Sequence, residues 1–150
     1  MMFILYTSEV DVVVLYTGGT FDLFHFGHVR LLKKCKEVSD KVVVALNTDS
    51  FVMEYKGLRP VIDFEGRKEV LLSCRYVDEV VANSHGKDSK PTILKVNPDI
   101  IAVGDDWKDR NYHQQMGFSE EWLERHCIQL MYLDYTKDIS STKIRGSINE

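Results

Sequence analysis

The sequence predicts an α/β fold, a doubly wound sheet of five parallel strands with helices on both faces. Runs such as Val12-Val13-Val14-Leu15-Tyr16 and Lys41-Val42-Val43-Val44-Ala45-Leu46-Asn47 are β-branched and continuously apolar, as strands covered on both faces are. Segments of helical spacing separate them, and strand–helix alternation requires crossovers and hence parallel pairing. At 150 residues, 44% hydrophobic and 28% charged, the chain has enough apolar material for one domain of ordinary size without staples.

Residues 1–11 read as an N-terminal extension and 12–150 as the domain. The leading Met1-Met2-Phe3-Ile4-Leu5-Tyr6 is too short and lacks the basic flank of a signal segment. No stretch reaches the length of a membrane span. The first strand, Val12–Tyr16, feeds Thr17-Gly18-Gly19, read as a glycine turn that lets backbone approach an anion. A helix over Gly27–Glu37 follows, with Val29, Leu32 and Cys35 on one face. The second strand is Lys41–Asn47, and Phe51–Ile62 has no clear period and reads as a mobile loop. Asp63 is placed to cap a helix through Arg75 whose Val70, Leu71 and Cys74 face the core. Val77–Ala82 is a third strand, Pro91–Val96 a helix and Asp99–Val103 a fourth strand. Asn111–Ser119, within a longer insertion over 108–119, is rich in polar and aromatic residues. Ser119 caps a short helix, Ile128–Leu133 is the fifth strand, and Ile139–Arg145 opens the last helix.

The chemistry concentrates between the first strand and first helix. A helix start carries unpaired N–H groups and partial positive charge, a ready site for phosphate. His25 and His28 lie three residues apart, so a helix beginning near Phe26 sets both on one side of its first turn. A structural zinc site from Asp22, His25 and His28 has the right ligand types but lacks a fourth ligand. If the sheet takes the order 3-2-1-4-5, strands 1 and 4 are neighbours whose following loops diverge, opening a crevice at their carboxyl ends. Gly19–His28 and Gly104-Asp105-Asp106-Trp107 both fall there. The net charge of −4 argues against a nucleic-acid-coating role. Cys35, Cys74 and Cys127, odd in number and widely spaced, read as reduced core residues of a cytoplasmic protein.

Gly19-Thr20-Phe21-Asp22 followed by His25-Phe26-Gly27-His28 resembles the paired signature of the cytidylyltransferase family of HxGH nucleotidyltransferases, and most nearly its glycerol-3-phosphate branch. The resemblance extends through Arg75-Tyr76-Val77-Asp78-Glu79-Val80, Gly104–Trp107 and Ile139-Ser140-Ser141-Thr142. It implies a Rossmann-like nucleotidyltransferase that moves CMP from CTP to a small phosphate monoester with release of pyrophosphate. The acceptor would be glycerol-3-phosphate or a related polyol, sugar or amino-alcohol phosphate, as in cell-envelope precursor synthesis.

By the same resemblance His25, His28, Lys56 and Arg67 are the catalytic candidates. Nucleotide contacts fall to Gly19, Thr20, Phe21, Asp22, Gly27, Gly104, Asp106, Trp107, Ile139, Ser140, Ser141 and Thr142. Mg²⁺ or another divalent cation is implied, with Asp22 as its candidate ligand. Arg75, Arg110, Tyr135 and Lys137 are candidates for the acceptor or a homodimer interface. The implied partners are small molecules, with no nucleic acid and no membrane. One departure stands out: relatives carry R-T-x-G before the last motif, and this chain has Tyr135-Thr136-Lys137-Asp138, so a phosphate-binding arginine is absent. Lys137 or Arg110 would have to supply the charge. An adenylyltransferase of the same superfamily and a non-catalytic nucleotide-binding domain are the alternatives.

Overall fold

The computed structural model describes residues 11–84 and 86–148; the expected extension over 1–11 lies outside them except at Asp11. Five parallel strands run in the order β3-β2-β1-β4-β5. They are β1 Val14–Gly19, β2 Lys41–Asn47, β3 Glu79–Asn83, β4 Ile100–Gly104 and β5 Gln129–Leu133. The helices are α1 Phe26–Glu37, α2 Asp49–Lys56, α3 Phe64–Leu72, α4 Lys90–Val96, α5 Tyr112–Met116, α6 Glu120–Arg125 and α7 Ser141–Ile148, with a 3₁₀ turn at Asp105–Asp109. Among the described residues, no helix is long and apolar enough to cross a membrane.

Alternation along each strand divides the core into two clusters. Leu15, Val44 and Leu46 pack with Leu32 and Cys35 of α1 and Leu71 of α3. Tyr16, Ala45 and Ile101 point the other way, onto Ile93 of α4, Tyr112 and Met116 of α5 and Leu123 of α6. Each fully buried aliphatic side chain contributes about 1.5–3 kcal/mol of transfer free energy. Period two is therefore what puts helices on both faces. Cys35 lies in the first cluster, where burial pushes its thiol up to about 12. Cys127 is not a core residue: it is exposed, with φ 55° in the turn after α6.

Several elements differ from the sequence reading. β1 begins later and continues through Gly18 and Gly19, which pair with Ala45 and Leu46; the glycines close the strand instead of forming a turn. The expected loop over 51–62 is largely α2, because the polar Thr48 caps a helix, accepting from Phe51 N, and Gly57 ends it in the left-handed region. Phe51 and Val52 anchor this helix in buried positions. In α3 the buried stripe is Arg67 and Leu71, one turn apart, while Val70 is exposed. The stretch read as an insertion folds as α5, and Ser89 ties it to the loop after β3 by donating from N to Met116 O at 2.9 Å. Ser119 caps α6 as expected, accepting from Trp122 N.

Candidate active site

At the carboxyl end of β1 the chain makes a tight excursion. Phe21 and Leu23 both have φ 51°, a region that costs a side-chain-bearing residue about 1–3 kcal/mol. The carboxylate between them holds the loop in place. Asp22 Oδ1 accepts from Leu23 N (3.1 Å) and Ile62 N (3.0 Å), and Oδ2 accepts from Val61 N (2.7 Å) and Arg145 Nη2 (2.9 Å). Its carbonyl also accepts from the Ser141 hydroxyl. One buried acid thus joins three segments: the loop after β1, the α2–α3 connection and α7.

The two histidines then cap α1 reciprocally. His25 is the N-cap residue and its Nδ1 accepts from Gly27 N at 3.1 Å; His28 Nδ1 accepts from His25 N at 3.2 Å. Both Nδ1 atoms are acceptors, so each neutral ring carries its proton on Nε2 and offers that N–H as a donor. The rings stack with centroids 3.7 Å apart. Gly27 permits this fold-back, since a Cβ there would meet the His25 ring at 2.9 Å and Ile139 Cγ2 at 3.0 Å. Phe21 and Phe24 pack on His28. Burial first, then the neighbouring His25, pull the His28 imidazole down to about 3 against a smaller opposing pull from Asp22, and burial lowers His25. The pair is neutral near pH 7: two preorganised N–H donors at a helix N-terminus.

Two adjoining cavities share His28 and Ser141 in their walls. The larger, about 330 Å³, is lined by Gly19, Thr20, Phe21, Asp22, Lys56, Asp106, Trp107, Thr142 and Arg145, among others. The smaller, about 140 Å³, takes in His25, Gly27, Gly104, Tyr135, Ile139 and Ser140. Every residue expected to contact nucleotide therefore lies on one of these walls. Ser140 caps α7, accepting from Lys143 N at 3.1 Å. Burial lowers the Lys56 ammonium, and Arg145 beside it adds to the shift against an opposing pull from Asp22.

Other expectations are corrected by position. Arg67 is 1% exposed and cannot reach pyrophosphate. Its Nε donates to Ile62 O, Nη1 to Thr20 O and Asn47 O (each 2.9 Å), and Nη2 pairs with Asp49 Oδ1 at 2.6 Å. It is a strut under the cavity floor. Arg75 is exposed in the turn before β3, at the end of the sheet opposite the crevice, and lines neither cavity, so it is not placed to meet the acceptor there. Arg110 stacks on the Trp107 ring at 3.9 Å and lies near Asp106; neither it nor the exposed Lys137 lines either cavity. Asp22 does not fit a cation, because both oxygens are already used twice. Among the described residues no cluster of acids, histidines or cysteines could hold a metal. A cation arriving with a nucleotide keeps water and phosphate ligands and needs no protein cage.

The sequence reading did not single out Arg145 as a site residue, although it ends the last motif. It lines the larger cavity, paired with Asp22, whereas Tyr135 lines the smaller one. Tyr55, Asn47 and Asn83 also line the larger cavity. Tyr55 was hidden by reading its helix as loop, and the two asparagines by their place at strand ends.

The fold and the paired histidines define a nucleotidyltransferase of the Rossmann-like α/β class. The chain belongs to the cytidylyltransferase-like family, whose profile matches residues 16–147. It is 37% identical over 132 residues to a glycerol-3-phosphate cytidylyltransferase of Bacillus subtilis, covering 88% of this chain and 94% of the relative. It is also 38% identical over 143 residues to an FAD synthase of Pyrococcus horikoshii, covering 95% and 94%. Among solved structures it resembles a lipopolysaccharide core biosynthesis protein of Thermoplasma volcanium, with TM-score 0.68, 25% identity and coverage of 85% and 100%.

Proposed function

We propose that the protein transfers a cytidylyl group from CTP to a phosphate-monoester acceptor, giving a CDP-linked product and pyrophosphate. The observation that carries this reading is the neutral, stacked His25–His28 pair, with His28 in the walls of both cavities and Lys56 and Arg145 lining the larger one. The nucleoside occupies the smaller cavity beside Tyr135 and Ile139, the phosphates lie along His28 and the start of α7, and the acceptor enters from the larger cavity.

An acceptor phosphate oxygen attacks the α-phosphorus in line; the new P–O bond forms as the bond to the bridging oxygen breaks, and pyrophosphate leaves with that electron pair. The histidine Nε2–H groups donate to oxygens on which charge builds, and Lys56 and Arg145 neutralise the leaving group. Donors fixed by a helix cap need no reorganisation as the charge moves, which is where such sites gain their rate. No enzyme nucleophile is required.

The FAD synthase relatives favour a second reading, adenylyl transfer from ATP to a flavin phosphate, by similarity as high as that to the cytidylyltransferases. Pyrophosphate release with CTP or ATP, each against phosphorylated polyols, sugars, amino alcohols and FMN, separates the two. Release with CTP supports the first reading, release with ATP alone replaces it by the second, and nucleotide binding without release overturns both.

A further inference from the structure

Several aromatic side chains line the two cavities, and most of them already carry a partner. The Trp107 ring has Arg110 over one face at 3.9 Å and meets Tyr112 edge-on at 5.4 Å. Tyr112 itself is buried, and Tyr55 packs on Phe51 with the Lys56 ammonium over its ring. Tyr135 differs. It lines the smaller cavity and is 40% exposed, and among the described residues no other ring and no cation lies against it. Its phenol likewise makes no hydrogen bond to a described residue.

The backbone that carries this ring is fixed on both sides. Tyr135 N donates to Asp105 Oδ1 at 3.0 Å, which ties the chain after β5 to the 3₁₀ turn after β4. One residue earlier, Lys34 of α1 donates from Nζ to Asp134 O at 3.3 Å. The ring stands at the end of β4, with Cδ2 3.5 Å from where a side chain on Gly104 would begin. Gly27, Leu31 and Ile139 supply the apolar remainder of the cavity. Charge is handled elsewhere, since Lys56 and Arg145 line only the larger cavity. An exposed ring on a preset backbone, away from the cations, suits a flat π-system, because offset stacking gains free energy beyond the area it buries.

We infer that Tyr135 is the residue on which the nucleobase of the bound nucleotide stacks, and that Asp105, which lines neither cavity, is its positioning residue. Trp107, the other aromatic candidate at the crevice, has its face taken by Arg110. The inference rests on the transferase reading for the occupant being a nucleotide, but not for the ring being open to a planar ligand.

The test is calorimetry with CTP, ATP and inorganic tripolyphosphate, which has the phosphates and no base, beside steady-state pyrophosphate release, with circular dichroism to confirm folding. Tyr135→Ala is expected to weaken whichever nucleotide the wild type binds by about tenfold, the scale of one base–aromatic stack. Tyr135→Phe keeps that affinity, and Tyr135→Leu, with bulk but no π face, loses it as alanine does. Tripolyphosphate responds alike in the wild type and all three variants. Asp105→Ala raises the KM for nucleotide by a smaller factor with kcat held, and Asp105→Asn, which keeps the accepting oxygen, restores it. Nucleotide affinity unmoved in Tyr135→Ala overturns the inference, as does an equal loss for nucleotide and tripolyphosphate, or a loss confined to the KM of the acceptor. A wild-type KM in Asp105→Ala overturns the positioning role. Tyr135-dependent nucleotide binding with no pyrophosphate release from any acceptor sustains the stacking residue and removes the transferase reading. Absence of binding by both nucleotides overturns both.

Discussion

Replacing Arg67 by methionine separates a strut from a phosphate ligand. The guanidinium is wholly buried and is shared among Ile62 O, Thr20 O, Asn47 O and the Asp49 carboxylate. Methionine fills much of the space but strands those acceptors. Removing one member of a buried pair costs roughly 3–5 kcal/mol, and Asp49, a third exposed, rehydrates enough to put the loss near the lower end. About 3 kcal/mol in a chain of this size lowers Tm by roughly 6–12 °C. Arg67→Lys recovers only part, since an ammonium cannot reach carbonyls on two sides as a planar fork does. Thermal unfolding followed by circular dichroism measures the drop. Nucleotide titration well below the lowered Tm then shows whether the triphosphate still binds. A variant that melts like the wild type yet no longer binds triphosphate would refute the strut and return Arg67 to the phosphates.

Two further predictions concern protonation and Asp22. His28 has a folded pKa of about 3 against an ordinary 6.5, and His25 is lowered too, so the unfolded chain takes up protons that the native one refuses. The stability tied to these neutral rings is complete above pH 6.5 and is lost as pH drops toward their folded values, with a slope of up to about 1.4 kcal/mol per pH unit from His28 and a smaller one from the more exposed His25. Denaturant unfolding between pH 6.5 and 5 reads the slope, and His28→Gln flattens it; an unchanged slope in the variant contradicts the assignment. Asp22→Asn releases Arg145 and one of the loop anchors, for a stability loss of about 1.5–3 kcal/mol and weaker triphosphate binding. Calorimetry with Mg²⁺ alone is expected to give the same weak response in both proteins. Tight Mg²⁺ binding by the wild type, lost in the variant, would restore Asp22 as a metal ligand.

What the sequence disclosed was the part written in local pattern. Continuous apolar runs identified the strands, and the β3-β2-β1-β4-β5 order followed from the doubly wound class. The positions of Ser119 and Asp63 announced their helices because a hydroxyl or carboxylate at an N-cap acts on its own near neighbours. The histidine spacing was legible, but their role as each other's caps was not, since histidine is not a usual cap residue and the arrangement needs Gly27 to let the ring fold back. Arg67 and Asp22 were misread for one reason. A charged residue in a nucleotide motif looks like a ligand until its partners are seen, and the partners, Thr20, Asn47, Ile62 and Arg145, lie from five to 123 residues away. The hydrogen bonds from Asn83 to Asn47 and from Asn47 to Thr20 were out of reach for the same reason, with links set by strand register.

The most direct test of the central claim is pyrophosphate release by the double variant His25→Asn, His28→Gln. Asparagine at the N-cap and glutamine at N3 preserve an ordinary capping box, so the fold and Tm are expected to stay near wild type. The imidazole N–H donors are lost, and release with CTP and acceptor is expected to fall by about 10²-fold or more. Wild-type rates in a normally folded double variant would contradict the account, because they would mean that the histidine pair only caps a helix and that transfer is catalysed elsewhere.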